Sequence, residues 1–96
     1  MHKAILLLKK IPKSKVATYK EMARVCKTSP RAIGRIMAGN DHPKEYPCYK
    51  VVASDGKLTG YSAPGGLITK ARLLRKDGIE IKKGIVSSQY FYTFAN

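Results

Sequence analysis

Apolar and polar positions change spacing several times along this chain, and each change marks an element. Ala4 to Leu8 form an apolar run flanked by Lys3, Lys9 and Lys10, which predicts a short helix over residues 3–10, stopped by Pro12. A basic loop, Lys13-Ser14-Lys15, leads into Val16-Ala17. Thr18-Tyr19-Lys20-Glu21 has the form of a capping box, and Met22, Ala23, Val25 and Cys26 follow with helical spacing, so a helix should end near Lys27-Thr28. Ser29 as N-cap and Pro30 in the first turn start another helix, which runs to Ala38 and stops at Gly39-Asn40. Its buried stripe is Ile33, Ile36 and Met37. Arg31 and Arg35 share another face, with the small Ala32, Gly34 and Ala38 nearby. Two short helices joined by a tight turn fit a helix-turn-helix or an ordinary helical hairpin. Gly34 favours the first. A mid-helix glycine costs about 1 kcal/mol against alanine, so another helix or a nucleic-acid strand should approach the backbone there.

Beyond a proline-containing loop at 41–47, residues 48–52 have strand composition. Ser54-Asp55-Gly56 reads as a turn and Lys57-Leu58 as a return strand, which together make a small wing. A flexible loop over 61–66 precedes a helix over 67–77, with Leu67, Ala71 and Leu74 facing inward and Gly78 as C-cap. Ile79-Glu80-Ile81 alternates like a strand and Lys82-Lys83-Gly84 reads as a linker. The expectation is a mainly α single domain with a small β wing, a winged helix-turn-helix, over residues 1–81. Residues 82–96 form a C-terminal extension holding Tyr90, Phe91, Tyr92 and Phe94, four of the eight aromatics. Left exposed, such a cluster invites aggregation, so it should pack back on the domain; otherwise it meets a protein partner or a further domain.

Composition narrows the class. Ninety-six residues with 44% apolar content hold one domain and one small core. Nineteen Lys and Arg against six Asp and Glu give a net charge of +13, and residues 1–38 hold ten of those bases against one acid. A field of this strength favours a polyanion such as nucleic acid, although lysine-rich solubility would also produce it. An anionic membrane fits less well, and no apolar run is long enough to span a bilayer. The start has no small-residue cleavage site, so an intracellular protein, in the cytoplasm or nucleus, is expected. Two cysteines make no disulfide framework, and two histidines without a paired Cys motif make no metal site; no cofactor is expected.

Several segments, taken in order, resemble the C-terminal domain of the O6-alkylguanine-DNA alkyltransferases. They are Ile11-Pro12, Lys15-Val16-Ala17-Thr18-Tyr19, Arg31-Ala32-Ile33-Gly34, Asn40, Pro47-Cys48-Tyr49-Lys50-Val51-Val52, Ser54-Asp55-Gly56, Gly60-Tyr61-Ser62 and Gly65-Gly66-Leu67. The likeness runs over about residues 1 to 80, and the eight positions from Asn40 to Cys48 make the set specific. It implies a domain that binds duplex DNA with its recognition helix in the minor groove and flips O6-alkylguanine into a pocket. A cysteine then removes the alkyl group irreversibly. On this likeness Cys48 is the acceptor and Asn40 orders the loop before it. Arg31 fills the vacated stack, Tyr19 rotates the nucleotide and helps protonate the leaving guanine, and Ser62 contacts the base. Ala32, Gly34 and Arg35 lie along the groove-facing helix, Lys50 is a DNA-binding residue that also adds charge beside the cysteine, and Asp77 falls where the family has the glutamate of a Cys-His-Glu system.

The residues themselves fit this chemistry. Displacing guanine from an alkyl carbon needs a soft nucleophile, a thiolate. At an ordinary pKa of about 8.5 only a few per cent of a thiol is ionised at neutral pH, so a nearby base or positive charge helps. Small residues on the groove-facing helix permit close approach to the DNA edge. Each residue also has a plainer reading. Cys48 could be a small core residue, as Cys26 on its helical stripe is expected to be. Tyr19 could staple its helix, Arg31 could contact phosphate, and Asp77 could pair with Arg75, Lys76 or a distant base. His42, in a surface loop, has no assigned role.

Two departures matter. Tyr49 stands where the family has histidine, and a phenol is a poor base at neutral pH, so transfer should be slow. Ala63-Pro64 lengthen the loop between Ser62 and the paired glycines, which alters the pocket. The leading expectation is a monomeric, single-turnover alkyl-accepting repair enzyme acting on double-stranded DNA containing O6-alkylguanine. The alternative is a non-transferring damage sensor like the alkyltransferase-like proteins, which have this length but carry tryptophan at the cysteine position. A winged-helix transcription regulator would explain the charge and helices but not the Pro-Cys segment.

Overall fold

In a computed structural model, which describes residues 2–60 and 65–95, three helices pack around a first core and a fourth contributes Leu74 to a second apolar cluster. Helix α1 (Lys3–Leu7) is capped by the His2 side chain, which accepts the Ala4 N–H at 3.0 Å, and tightens into a 3-10 turn over Leu8–Lys10. Helices α2 (Tyr19–Cys26) and α3 (Pro30–Ala38) form the helix-turn-helix. Lys27 reverses the chain between them in a left-handed conformation, and Ser29 caps α3 by accepting the Ala32 N–H. Ala4, Ile5, Leu8, Met22, Ala23, Ile33 and Met37 meet in the core that unites these helices. The winged helix-turn-helix class expected from the pattern is the class observed, mainly helical with short strands.

The strands pair differently from the expected wing. Of residues 48–52 only Val51–Val52 form a strand, β2, and Cys48–Lys50 form a 3-10 turn. Strand β2 runs parallel to β1 (Ala17–Thr18), with Ala17 opposite Val51. Both valines of β2 are fully buried, as a strand covered on both faces requires. The return segment reaches past β2: Lys57 bridges to Ile85, and the Val86 N–H donates to the Gly56 carbonyl. Gly56 has φ +87°, and a Cβ there would run into the Val86 carbonyl oxygen. The expected linker at 82–84 instead falls within an antiparallel hairpin, β3 (Ile81–Lys82) and β4 (Ile85–Val86), with its turn at 83–84. Val86 is buried beside Val16, Val52, Leu74 and Ile79, and that apolar contact holds the hairpin down.

Helix α4 (Gly66–Lys76) turns a different face inward than expected. Leu74 is fully buried, but Leu67 is exposed, and the fully buried partner one turn before Leu74 is Lys70. Gly78, at φ +91°, follows the helix end, where the Ile79 N–H returns to the Leu74 carbonyl.

The C-terminal aromatics lie against the domain. The Val16 N–H donates to the Tyr90 carbonyl and the Tyr92 N–H to the Val16 carbonyl, while Phe94 enters the first core edge-on to Tyr92. This arrival remakes the capping box. Thr18 accepts the Glu21 N–H at 3.0 Å, but the Glu21 carboxylate takes the Phe94 N–H at 2.7 Å and the Arg24 guanidinium. Those bonds hold Glu21 below its usual carboxylate range.

Candidate nucleic-acid interface and acceptor site

Helix α3 presents Arg31 and Arg35 to solvent beside a broad cavity of about 840 Å³. Tyr19 and Lys20 of α2, Gly34 and Ala38 of α3, and Thr59 and Gly60 after β2 are among its lining residues. Among the described residues nothing lies within 4 Å of where a Gly34 Cβ would sit. No protein helix therefore explains the glycine, and its open side is available to a ligand. Ala32 is half-buried two positions earlier.

Cys48 sits at the start of the 3-10 turn, 9% exposed, and Asn40 sets the loop that delivers it. The Asn40 side-chain amide donates to the Tyr46 carbonyl at 2.8 Å, and the Cys48 N–H donates to that same carbonyl at 2.8 Å. The Asn40 side-chain oxygen also accepts the His42 N–H, so one amide pins both ends of the loop. Cys48 is not itself on the cavity wall; Tyr19 is. Burial pushes the Tyr19 phenol up, and it donates to the Thr59 carbonyl at 3.2 Å, so around neutral pH it is a protonated donor beside the opening.

Lys50 and Asp77 turn inward to each other. The Lys50 ammonium is 3.0 Å from the Asp77 carboxylate and donates to the Pro12 carbonyl at 2.9 Å; the two side chains are only 7% and 11% exposed. Asp77 is also held by Ser14, whose N–H donates to its carboxylate and whose hydroxyl donates to its carbonyl. The sequence put Lys50 on the DNA side, but its charge is spent internally, on the distant-base pairing that was one reading of Asp77. Tyr49 is half-buried between Cys48 and Lys50 in the same turn. Ser62 and the Ala63-Pro64 lengthening lie outside the described residues.

Sequence reasoning missed Lys70. Its side chain is 0% exposed, and its ammonium donates to the Val51 carbonyl at 2.6 Å and the Thr59 carbonyl at 2.7 Å, 5.8 Å from the Tyr19 ring centroid. The only sequence signal was its place one turn before Leu74 on the inward face. Among the described residues no group of three or more metal-ligating side chains occurs, and no helix is long and apolar enough to cross a membrane.

Known proteins resemble this chain in sequence and fold. Residues 1–79 match the family model of the 6-O-methylguanine DNA methyltransferase DNA-binding domain. A methylated-DNA--protein-cysteine methyltransferase of Pyrobaculum aerophilum is 46% identical over 79% of this chain and 50% of its own length. A bifunctional methyltransferase/endonuclease of Picrophilus torridus is 41% identical over 94% of this chain and 30% of its own. The chain thus spans half or less of these relatives. The crystal structure of O6-methylguanine-DNA methyltransferase from Pyrococcus kodakaraensis superposes with a TM-score of 0.72 at 38% identity, over 80% of this chain and 44% of that one. S. pombe Atl1, in complex with damaged DNA containing O6-carboxymethylguanine, shares the fold at a TM-score of 0.83 and 23% identity, over 95% and 92% of the two chains. The chain belongs to the 6-O-methylguanine DNA methyltransferase DNA-binding domain family.

Proposed function

We propose that this chain binds duplex DNA along α3, takes an O6-alkylguanine into the cavity beside Tyr19, and transfers the alkyl group to Cys48. What carries the reading is the cysteine held by the Asn40-pinned loop, in a fold whose helix α3 and Tyr19, a hydrogen-bond donor, wall an open cavity. The Cys48 sulfur, as thiolate, bonds to the alkyl carbon while the carbon–O6 bond breaks. The electron pair goes to guanine, which takes up one proton, with Tyr19 as the donor at hand. The products are an S-alkyl cysteine and guanine, so each protein molecule acts once. Arg31, at the exposed start of α3, fills the space the base leaves. Arg35 and Lys20 supply affinity for phosphate, while Ala32, Gly34 and Ala38 let the helix sit close to the groove. Ser62 contacts the extruded base. Asp77 acts by tethering Lys50, and with it the turn that carries Cys48. Extrusion costs least for damaged or mispaired bases, which adds selectivity.

Tyr49 beside Cys48 favours a second reading, a sensor that binds the lesion without transfer. Intact-mass measurement after mixing with duplex DNA containing O6-methylguanine separates the two. One added methyl, mapped to Cys48 and missing in Cys48→Ser, is the expected result. Tight binding to the lesion with unchanged mass would replace transfer by sensing.

A further inference from the structure

Helix α4 carries aliphatic side chains on the face turned away from the core. Lys70 and Leu74 are its buried residues, yet Ile68 is 83% exposed and Leu67 47%. A helix that packs one face inward is expected to be polar on the other. A single exposed aliphatic needs no explanation, but here side chains from separate segments lie together. Leu67, Ile68, Ala71 and Arg75 of α4, Leu58 of the return segment and Gly84 of the hairpin turn line a groove of about 330 Å³. The Leu58 N–H donates to the Gly84 carbonyl at 3.3 Å, which joins the return segment and the hairpin into one wall. This groove shares no lining residue with the cavity beside Tyr19.

The rim of the groove has one sign of charge. Arg72 lies one turn after Ile68 and Arg75 one turn after Ala71; both are exposed, and neither forms an ion pair among the described residues. Lys83, also exposed, precedes Gly84. No Asp or Glu lines the groove, and Asp55 and Glu80 on the adjoining segments are paired with Lys57 and Lys82. These features select the occupant. Aliphatic walls call for aliphatic side chains, and an unpaired arginine rim calls for carboxylates. Duplex DNA would meet the arginines but would leave the aliphatic walls without a matching surface. A second copy would set one basic rim against another, on chains of net charge +13.

We infer that this groove docks a segment of a partner protein with aliphatic side chains on one side and Asp or Glu on the other. The aliphatic contact supplies the affinity, and the carboxylates supply the rate of encounter and the choice of partner. Docking here does not depend on Cys48 being the acceptor, so it stands or falls apart from the transfer reading.

The probe is a synthetic helical peptide with leucines along one face and glutamates on the other. Its control has the same composition with the leucines scattered around the helix. Titrated against the whole chain by fluorescence anisotropy, the probe should bind more tightly than the control. Ile68→Ser should weaken that binding by at least about tenfold. Arg75→Glu should weaken it by about threefold and flatten its salt dependence. Ile68 is exposed, so the variant should keep its melting temperature and its affinity for duplex DNA. Equal binding of probe and control, or probe binding unchanged in Ile68→Ser, would overturn the inference. So would a tenfold loss of duplex affinity in Ile68→Ser, which would give the groove to DNA. Sedimentation showing a wild-type dimer that Ile68→Ser dissociates would give it to a second copy, and would overturn the inference too.

Discussion

Replacing Asp77 by asparagine keeps the shape of the side chain and removes one charge, leaving the Lys50 ammonium enclosed without its counter-ion. The geometry sets the expected cost. Both side chains are almost fully covered and 3.0 Å apart, so solvent does not screen the pair as it would on the surface. Removing one member of such a pair costs about 3–5 kcal/mol. Lys50 keeps the Pro12 carbonyl and the asparagine keeps an oxygen for the Ser14 N–H, which argues for the low end, about 3 kcal/mol. For a domain of this size each kcal/mol lowers the melting temperature by about 4–8 °C, so the expected drop is about 12–24 °C by circular dichroism. The double variant Lys50→Met, Asp77→Leu removes both charges and should regain at least about half of that loss. A drop below about 4 °C for Asp77→Asn would refute the reasoning, since it would mean that Lys50 reaches water and the pair behaves as an exposed one.

Four further outcomes are expected. Gly34→Leu should weaken binding to duplex DNA by tenfold or more while moving the melting temperature little, because the added side chain meets open space and not protein; equal affinity in a fluorescence-anisotropy titration would contradict this. Phe94→Ala should cost about 3 kcal/mol, and Glu21→Ala should speed hydrogen exchange at the Phe94 N–H, since that amide is bonded to the Glu21 carboxylate. Lys70 holds its proton less tightly folded than unfolded, so the unfolded state binds more protons between about pH 8 and 10.5 and stability should rise with pH across that window, on the order of 3 kcal/mol. Tyr19 and Cys26, both raised by burial, act in the opposite direction at high pH. The rise is therefore read as the difference in denaturant midpoint between wild type and Lys70→Met, and a pH-independent difference would contradict it.

Local signals were legible in the sequence wherever a short-range rule controls the backbone. Thr18, Ser29 and Pro30 mark helix starts whatever surrounds them, and the spacing of Met22, Ala23, Ile33 and Met37 marks the core faces of α2 and α3. The ordered set from Ile11 to Leu67, with Cys48 and Asn40 at its centre, was enough to recognise the family without any coordinate. Strand pairing was not legible, because a run of two or three residues carries no register. Val51-Val52 reads equally well in a hairpin or beside a distant parallel strand, and only burial on both faces selects β1.

Charge partners were decided later still. Nothing near Lys50 in the chain distinguishes it from the lysines that face solvent; it became internal because Asp77, Ser14 and the Pro12 carbonyl converge on it from remote segments. Lys70 looked like one more base on a basic helix, and Glu21 like half of a capping box, until the Val51 and Thr59 carbonyls and the Phe94 N–H arrived beside them. The sequence by itself determined the helices, the excess of positive charge and the residues that mark the family, because those depend on neighbours within a few positions. The tertiary structure alone decided which charges are buried and what each one faces, because an ion's partner inside a protein is set by whichever segments exclude the water around it.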